Sequence, residues 1–316
     1  MSNLYDILWT EKYRPKTVAG CILPNSLKNA FQEFVIKRAI PNLLLTGRAG
    51  VGKTSVAKAM LDEIGADYIT INGSMNGNID TLRVDISQFA STMSFNGERK
   101  YVILDEADYL NPNSTQPALR NFMEEFSKNC GFILTCNFKN KIIDPLHSRC
   151  SVIDFTIPPS EKPRMATLFM KRLKTILDQE NVTYKDNVIA EFIKKHFPDW
   201  RRILNELQRY SSNSERVVDT GILALHSEEN YKQLFEYMKT KSFTNIRKWV
   251  AENSGIETSE MFRHLYDSAQ SFLKPQSIPQ LVLILGEYQF KAAFVADPEI
   301  NIVACLTNVM IDCEFV

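Results

Sequence analysis

Residues 47–54 read Gly47-Arg48-Ala49-Gly50-Val51-Gly52-Lys53-Thr54, which has the spacing G-x-x-x-x-G-K-T. Glycines so placed let a loop curl until its backbone N–H groups point inward. A helix starting at the loop's end adds the positive end of its dipole. Such a loop cradles phosphate oxygens, with Lys53 on the terminal phosphates and the Thr54 hydroxyl on Mg²⁺. Further on, Asp105 and Glu106 follow the apolar run Tyr101-Val102-Ile103-Leu104. Two carboxylates ending a buried strand suit a second task. Asp105 would hold Mg²⁺ through water, and Glu106 would take a proton from an attacking water or orient it. Acidic strand ends are common, so the pair gains its meaning from the glycine loop before it. Together they describe hydrolysis of a nucleoside triphosphate, with ATP and Mg²⁺ as the expected ligands.

Other polar residues stand where they can join this chemistry, each with a plainer reading beside it. Asn137 follows the run Phe132–Cys136 and would lie beside the γ-phosphate, fixing the water; an ordinary turn Asn has the same spacing. Arg149, in Ser148-Arg149-Cys150, can act as an arginine finger in cis or in trans, worth roughly 10³–10⁵ in rate; a surface arginine capping a helix fits as well. Arg201, in Pro198-Asp199-Trp200-Arg201-Arg202, opens a helix and can report the γ-phosphate; a solvated helix start capped by Asp199 is the alternative. Arg83 and Arg120, with Lys100, Lys128 and Lys139 elsewhere nearby, offer contacts to a phosphate backbone, although a solvated face reads the same for each.

These residues need a scaffold that brings strand ends together. Short apolar runs at Asn42–Thr46, Asp67–Asn72, Tyr101–Asp105, Phe132–Cys136 and Ser151–Phe155 read as strands. Between them, residues 25–39, Ser55–Ile64, 78–93 and Asn113–Ser127 read as helices. The alternation predicts a parallel sheet covered on both faces. Residues 1–20 read as an irregular arm, since Pro15 holds its neighbour extended. Beyond Pro158-Pro159 no strand signal is visible. Helices are expected at 161–179, 186–196, 200–211 and 217–225, then in a block over about 229–316 broken at Ser254-Gly255, Lys274-Pro275 and Asp297-Pro298. The fold class expected is α/β plus all-α, divided into an α/β core over 1–157, a small helical lid over 158–227 and a helical domain over 228–316.

Bulk composition narrows the classes. The 316 residues are 44% hydrophobic and 23% charged, the composition of an ordinary globular protein. Lys+Arg and Asp+Glu both number 37, so any nucleic-acid contact must come from a local patch rather than a global basic field. No apolar run approaches the ~20 residues of a membrane span, and Met1–Trp9 carries Asp6 and no basic segment, unlike a signal peptide. The six cysteines form no C-x-x-C pair, which fits a reducing cytosol and buried thiols.

Taken together, the motifs resemble the clamp-loader clade of AAA+ ATPases. Trp9-Thr10-Glu11-Lys12-Tyr13-Arg14-Pro15 is similar to the clade's W-x-E-K-Y-R-P opening. Leu104–Asp108 with Gln116–Glu124 resembles its Walker B segment and following helix. Phe132–Asn137 and Ile142–Cys150 resemble the first sensor and the S-R-C finger, and Asp199–Asn205 the second sensor, with Pro198 where the clade has Gly. Small subunits of replication factor C belong to this clade. Cys21–Pro24, Ile40–Asn42, Asp219–Leu225 and the chain length look closer to the large subunits of T4-type bacteriophage clamp loaders.

The resemblance implies an AAA+ P-loop core, a lid and a C-terminal collar that oligomerises. Four copies would join one different subunit in an open spiral. ATP binding would open a ring-shaped sliding clamp and grip primer–template DNA by its backbone. DNA- and clamp-triggered hydrolysis would then release the closed clamp. Localisation would be cytoplasmic, in a host if the chain is phage-encoded. Residue by residue, the resemblance carries over Glu106, Lys53, Asn137, Arg201 and, in trans, Arg149 as catalytic. It carries over Gly47 to Ser55, Tyr13, Arg14, Cys21, Ile22 and Arg201 as nucleotide-binding, and Arg83, Ile79 and Arg120, within or near Asn76–Asp80 and the helix after the third strand, as DNA-contacting. Arg48, Ala49 and Val51 depart from the usual Pro, Pro and Thr. Another AAA+ DNA machine, such as a helicase loader or branch-migration motor, and a non-hydrolysing scaffold subunit are the rival readings.

Overall fold

The computed structural model describes residues 8–75, 79–92, 94, 99–212, 216–219, 222, 228–253, 258–292 and 294–316. The chain divides into two compact units, Met1–Asp219 and Thr220–Val316.

The first unit opens with two helices, α1 (Trp9–Lys12) and α2 (Asn25–Ile36). Its strands and helices then alternate: β1 (Leu43–Thr46), α3 (Lys53–Ile64), β2 (Tyr68–Asn72), α4 (Ile79–Ser91), β3 (Lys100–Asp105), α5 (Thr115–Glu125), β4 (Cys130–Cys136), α6 (Asp144–His147) and β5 (Ser151–Asp154). The five strands are parallel, in the order β2-β3-β4-β1-β5. Strand β4 therefore separates β1 from β3. Its register sets Thr46 opposite Cys136 and Leu104 opposite Leu134. The loops leaving β1, β3 and β4 consequently emerge at one edge, where open parallel sheets place their ligands.

Strand alternation explains why both faces are covered. Leu43, Leu45, Tyr101 and Ile103 point to one side and pack with Phe31, Val56 and Met60 from α2 and α3. Leu44, Val102, Leu104, Phe132 and Leu134 point to the other and pack with Leu82, Ile86 and Leu119 from α4 and α5. Nearly every one of these side chains is fully buried, so the runs are continuously apolar, as a two-sided parallel sheet requires. Gln116 is a polar exception in this interior. Its Nε2 donates to the carbonyls of Leu110 (3.0 Å) and Lys141 (2.9 Å), and its Oε1 accepts from the Ile143 N–H (2.9 Å). One fully satisfied side chain thus ties α5 to the segments after β3 and β4.

The rest of this unit holds α7 (Lys162–Gln179), β6 (Thr183–Tyr184), α8 (Asp186–His196), α9 (Trp200–Ser211) and β7 (Val217–Val218). Two expectations need correction. Strands do occur after Pro158: Val217-Val218 pairs in parallel with Thr183-Tyr184 instead of starting a helix over 217–225, and most of the remainder of that span lies outside the described residues. Two-residue strands are too short to show a period. The N-terminal arm is likewise not irregular throughout. Residues Trp9–Lys12 form one helical turn, Trp9 is buried, and its N–H donates to Gln208 Oε1 on α9 (2.9 Å).

The second unit is helical: α10 (Glu228–Lys239), α11 (Phe243–Glu252), α12 (Thr258–Asp267), α13 (Ala269–Phe272), α14 (Ile278–Ala292) and α15 (Pro298–Asp312). Leu234, Ile246, Trp249, Leu265, Leu281 and Leu306 share its core. The break at Asp297-Pro298 is a helix start. Asp297 Oδ1 accepts from the Glu299 N–H (2.9 Å), and Pro298 occupies the first turn, where its missing N–H is not needed. The break expected at Ser254-Gly255 lies outside the described residues. Among the described residues no helix is long and apolar enough to cross a membrane.

Candidate nucleotide site

The loop between β1 and α3 adopts the conformation its glycines permit. Gly50 has φ 74° and Gly52 φ 97°, both left-handed values that residues with a Cβ rarely adopt. Val51 turns inward instead and joins the core beside α2 and α3, so this departure from the usual loop sequence serves packing. Lys53 is buried at the helix start. Its Nζ donates to the carbonyls of Gly47 (2.7 Å) and Arg48 (2.8 Å) and to Asn137 Oδ1 (2.9 Å). Burial pulls the Lys53 ammonium below the usual lysine range, against the opposing pull of Cys136, Asp105 and Asp108; the positive charge of Arg201 adds to the lowering.

The carboxylate end of β3 sits against the same loop. Thr54 Oγ1 and Thr135 Oγ1 each donate to Asp105 Oδ1 at 2.6 Å, and the Thr135 hydroxyl accepts from the Glu106 N–H at 3.1 Å. Glu106 itself has φ 57°, a left-handed bend that turns the chain at the strand's end. A hydroxyl beside a carboxylate gives hard oxygen donors of the kind Mg²⁺ takes. Among the described residues no group of three or more His, Cys, Asp or Glu could hold a metal. This spare donor set fits an ion that keeps waters and shares a ligand's phosphates rather than one held in an all-protein cage.

Asp108 was not singled out from the sequence as a site residue, and its geometry is specific. It is 6% exposed. Its Oδ2 accepts from the N–H groups of Asn137 and Phe138, both at 3.2 Å, while its Oδ1 has no partner among the described residues. It therefore fixes the turn that carries Asn137.

Helix α9 closes over the loop. The Trp200 N–H donates to the Gly50 carbonyl (3.2 Å), and Asp199 Oδ1 caps the helix by accepting from the Arg202 N–H (3.0 Å). A Cβ at Gly50 would lie 1.7 Å from that same Asp199 oxygen, so glycine at this position is needed for the lid to dock. Between loop and lid lies a cleft. Ala49 to Ser55, Asp105, Glu106, Asn137 and Arg201 line it, together with Tyr13, Arg14, Cys21 and Ile22. Arg14 Nη1 donates to Ser55 Oγ (3.3 Å), and the Tyr13 hydroxyl donates to Glu180 Oε1 (2.6 Å). Burial pushes the Cys21 thiol up to about 11.

Other expected residues stand apart from the cleft. Gly47 and Arg48 serve Lys53 through their carbonyls without lining it. Arg149 is held by Glu124 on α5 and donates to the Pro145 carbonyl (2.9 Å). Arg83 and Arg120 are exposed on α4 and α5. Residues 76–78 and the Ile79 side chain lie outside what the structure describes. Sequence reasoning missed Thr135, Phe169, Arg172 and Leu204 as cleft or strand-end residues. Their only signal is a helix or strand periodicity that any core residue shares.

Parallel sheet, phosphate-type loop, paired carboxylates and docked lid define an ATPase of the AAA class. Accordingly, residues 43–157 match the ATPase family associated with various cellular activities (AAA). Residues 161–224 match the AAA+ ATPase lid domain of the sliding-clamp-loader large subunit. The chain is 36% identical over 297 residues to the sliding-clamp-loader large subunit of Enterobacteria phage T4, covering 92% of each. To that of Escherichia phage RB69 it is 34% identical, over 99% of this chain and 98% of the relative. The replication factor C small subunit of Methanothermobacter thermautotrophicus is 29% identical, over 95% of this chain and 96% of that one. The chain belongs to the sliding-clamp-loader large subunits. Its fold is also similar to the Thermotoga maritima RuvB Holliday junction branch migration motor, with a TM-score of 0.52 at 18% identity over 77% of this chain and 86% of that one.

Proposed function

We propose that this chain is the ATP-hydrolysing subunit of a machine that loads a ring-shaped sliding clamp onto primer–template DNA. The observation that carries the reading is the convergence of Lys53, Thr54, Asp105, Glu106, Asn137 and Arg201 on one cleft between loop and lid. The loop N–H groups and Lys53 bind the phosphates of ATP, and Arg201 meets them from the lid. Asn137 orients the water, whose oxygen attacks the γ-phosphorus while its proton passes to Glu106 and the bond to the bridging oxygen breaks, leaving ADP and phosphate. Thr54, and Asp105 through water, would hold Mg²⁺, which would supply charge neutralisation to the phosphates.

Assembly supplies the rest. Residues 1–157 form the ATPase core, 158–227 the lid, and 228–316 a collar joining four copies to one different subunit. Arg149 stands clear of its own cleft, which supports a role at the neighbour's. Arg83 and Arg120 with Ile79 are the proposed contacts to the DNA backbone; the two arginines are exposed on neighbouring helices, and backbone contact reads shape rather than sequence.

Steady-state ATP turnover of the assembled complex, with and without primed DNA and the cognate clamp, tests the whole scheme. Turnover that rises on both additions is the expected result. Turnover indifferent to both would exclude clamp loading, and a complex that binds ATP without turning it over would be a scaffold.

A further inference from the structure

The nucleotide cleft carries two arginines from the lid, and they occupy different electrostatic surroundings. Arg201, at the start of α9, acts on Lys53, so it stands at the phosphate end. Arg172, on α7, acts on Cys21. In the cleft's lining Arg172 joins Cys21, Ile22 and Leu23, which belong neither to the phosphate loop nor to the acidic end of β3.

Cys21, Ile22 and Leu23 form one wall, and Phe169, one turn before Arg172 on α7, packs on Trp200 with ring centroids 4.2 Å apart. Arg172 is half-buried here, and no carboxylate, carbonyl or hydroxyl among the described residues accepts from it. Burial pulls its guanidinium below the usual arginine range, with only Cys21 opposing. Leaving a charged, donor-only group partly desolvated and unpaired is costly, so its position calls for an acceptor from outside the chain. The backbone beneath it is also fixed. At the start of α7, Arg164 Nη2 donates to the Leu23 carbonyl (2.9 Å) and Glu161 accepts from the Asn25 N–H (2.9 Å). The helix is thereby stitched to the segment that follows Cys21.

We infer that Arg172 is a binding residue for the nucleoside half of the bound triphosphate, donating to acceptor atoms of the base or ribose while Arg201 and Lys53 take the phosphates. The assignment rests on the cleft's being a nucleotide site. It gives the lid two separate grips on one ligand.

The test compares binding of Mg·ATP with binding of Mg·tripolyphosphate, which lacks the nucleoside, by calorimetry on the full chain. Arg172→Ala is expected to weaken ATP binding about tenfold, the loss of one charge-assisted hydrogen bond, and to leave tripolyphosphate binding unchanged. Arg172→Gln, which keeps donors and bulk without the charge, should fall between, and guards against a folding defect in the alanine variant. Equal loss of ATP and tripolyphosphate, or no loss of either, would overturn the assignment. Wild-type protein that binds neither ligand would overturn the nucleotide site itself, a different failure.

Discussion

Asp108 accepts from the N–H groups of Asn137 and Phe138 and so sets where the Asn137 side chain meets Lys53, 2.9 Å away. It does not line the cleft, so its effect passes through Asn137. Replacing it with alanine should leave ATP affinity nearly intact and lower kcat, by up to about 100-fold, because a displaced water-orienting group costs far more in the transition state than in the ground state. Asp108→Asn keeps an acceptor oxygen for both N–H groups and should recover most of the rate. Parallel equilibrium binding and single-turnover measurements check this; an affinity loss matching the rate loss would refute it. The glycines give a second residue-scale contrast. Gly50 and Gly52 both have left-handed φ, so alanine at either costs roughly 1–2 kcal/mol. Only at Gly50 would the added Cβ also meet Asp199, while at Gly52 nothing lies within 4 Å. Gly50→Ala is expected to lower the melting temperature more than Gly52→Ala does, and to weaken lid docking as well.

The one-turn helix α1 and the chain after it depend on a lid residue at the element scale. Lys12 and Tyr13 both donate to Glu180 Oε1, at 2.7 and 2.6 Å. Burial alone would push the Glu180 carboxyl up, but the hydrogen bonds from Lys12 and Tyr13 outweigh it and hold the group below the usual carboxylate range. A depressed folded value means the tether contributes fully above the unfolded carboxylate pKa of about 4.3, and is lost as pH falls through the lower folded value. Amide protection factors over Trp9–Arg14, corrected for the intrinsic pH dependence of exchange, should therefore fall on acidification through that window, and Glu180→Gln should lower them already at neutral pH. An arm whose exchange ignores both changes would not be held by Glu180. This tether marks the limit of what the sequence makes legible. The glycine loop, the acidic end of β3 and the alternating strands are local patterns with a chemical or periodic cause, and they stand within a few residues of where they were expected. Trp9 on Gln208, Val217 beside Thr183 and Asp199 against Gly50 are pairings across long stretches of chain, with no local period to reveal them. Arg172 is hidden for the same reason: on α7 it reads as one more solvated arginine until the fold sets it over Cys21.

At the scale of the whole molecule, the proposed sharing of the site between subunits rests on Arg149, which stands clear of its own cleft. Arg149 pairs with Glu124, an exposed partner whose carboxylate Arg149 holds below its usual range. Such an exposed pair is weak, so a neighbour's triphosphate can draw the guanidinium away at little cost. In the proposed collar, Leu283, Phe290 and Phe294, on or just after α14, are each at least 69% exposed, apolar side chains that the proposed assembly would cover. A finger that works only in trans has a signature no cis residue can imitate. Complexes built wholly from Lys53→Ala chains lack a functional loop, and those built wholly from Arg149→Ala chains lack the finger; each should turn over ATP slowly, the second by roughly 10³-fold or more. Complexes assembled from a mixture of the two chains contain some interfaces where an intact loop, from the Arg149→Ala chain, faces an intact finger from the Lys53→Ala chain. Turnover should reappear in the mixture in proportion to those interfaces, and vanish again when one chain carries both substitutions. A mixture no more active than its parents would mean that Arg149 serves its own subunit, and that each cleft works alone.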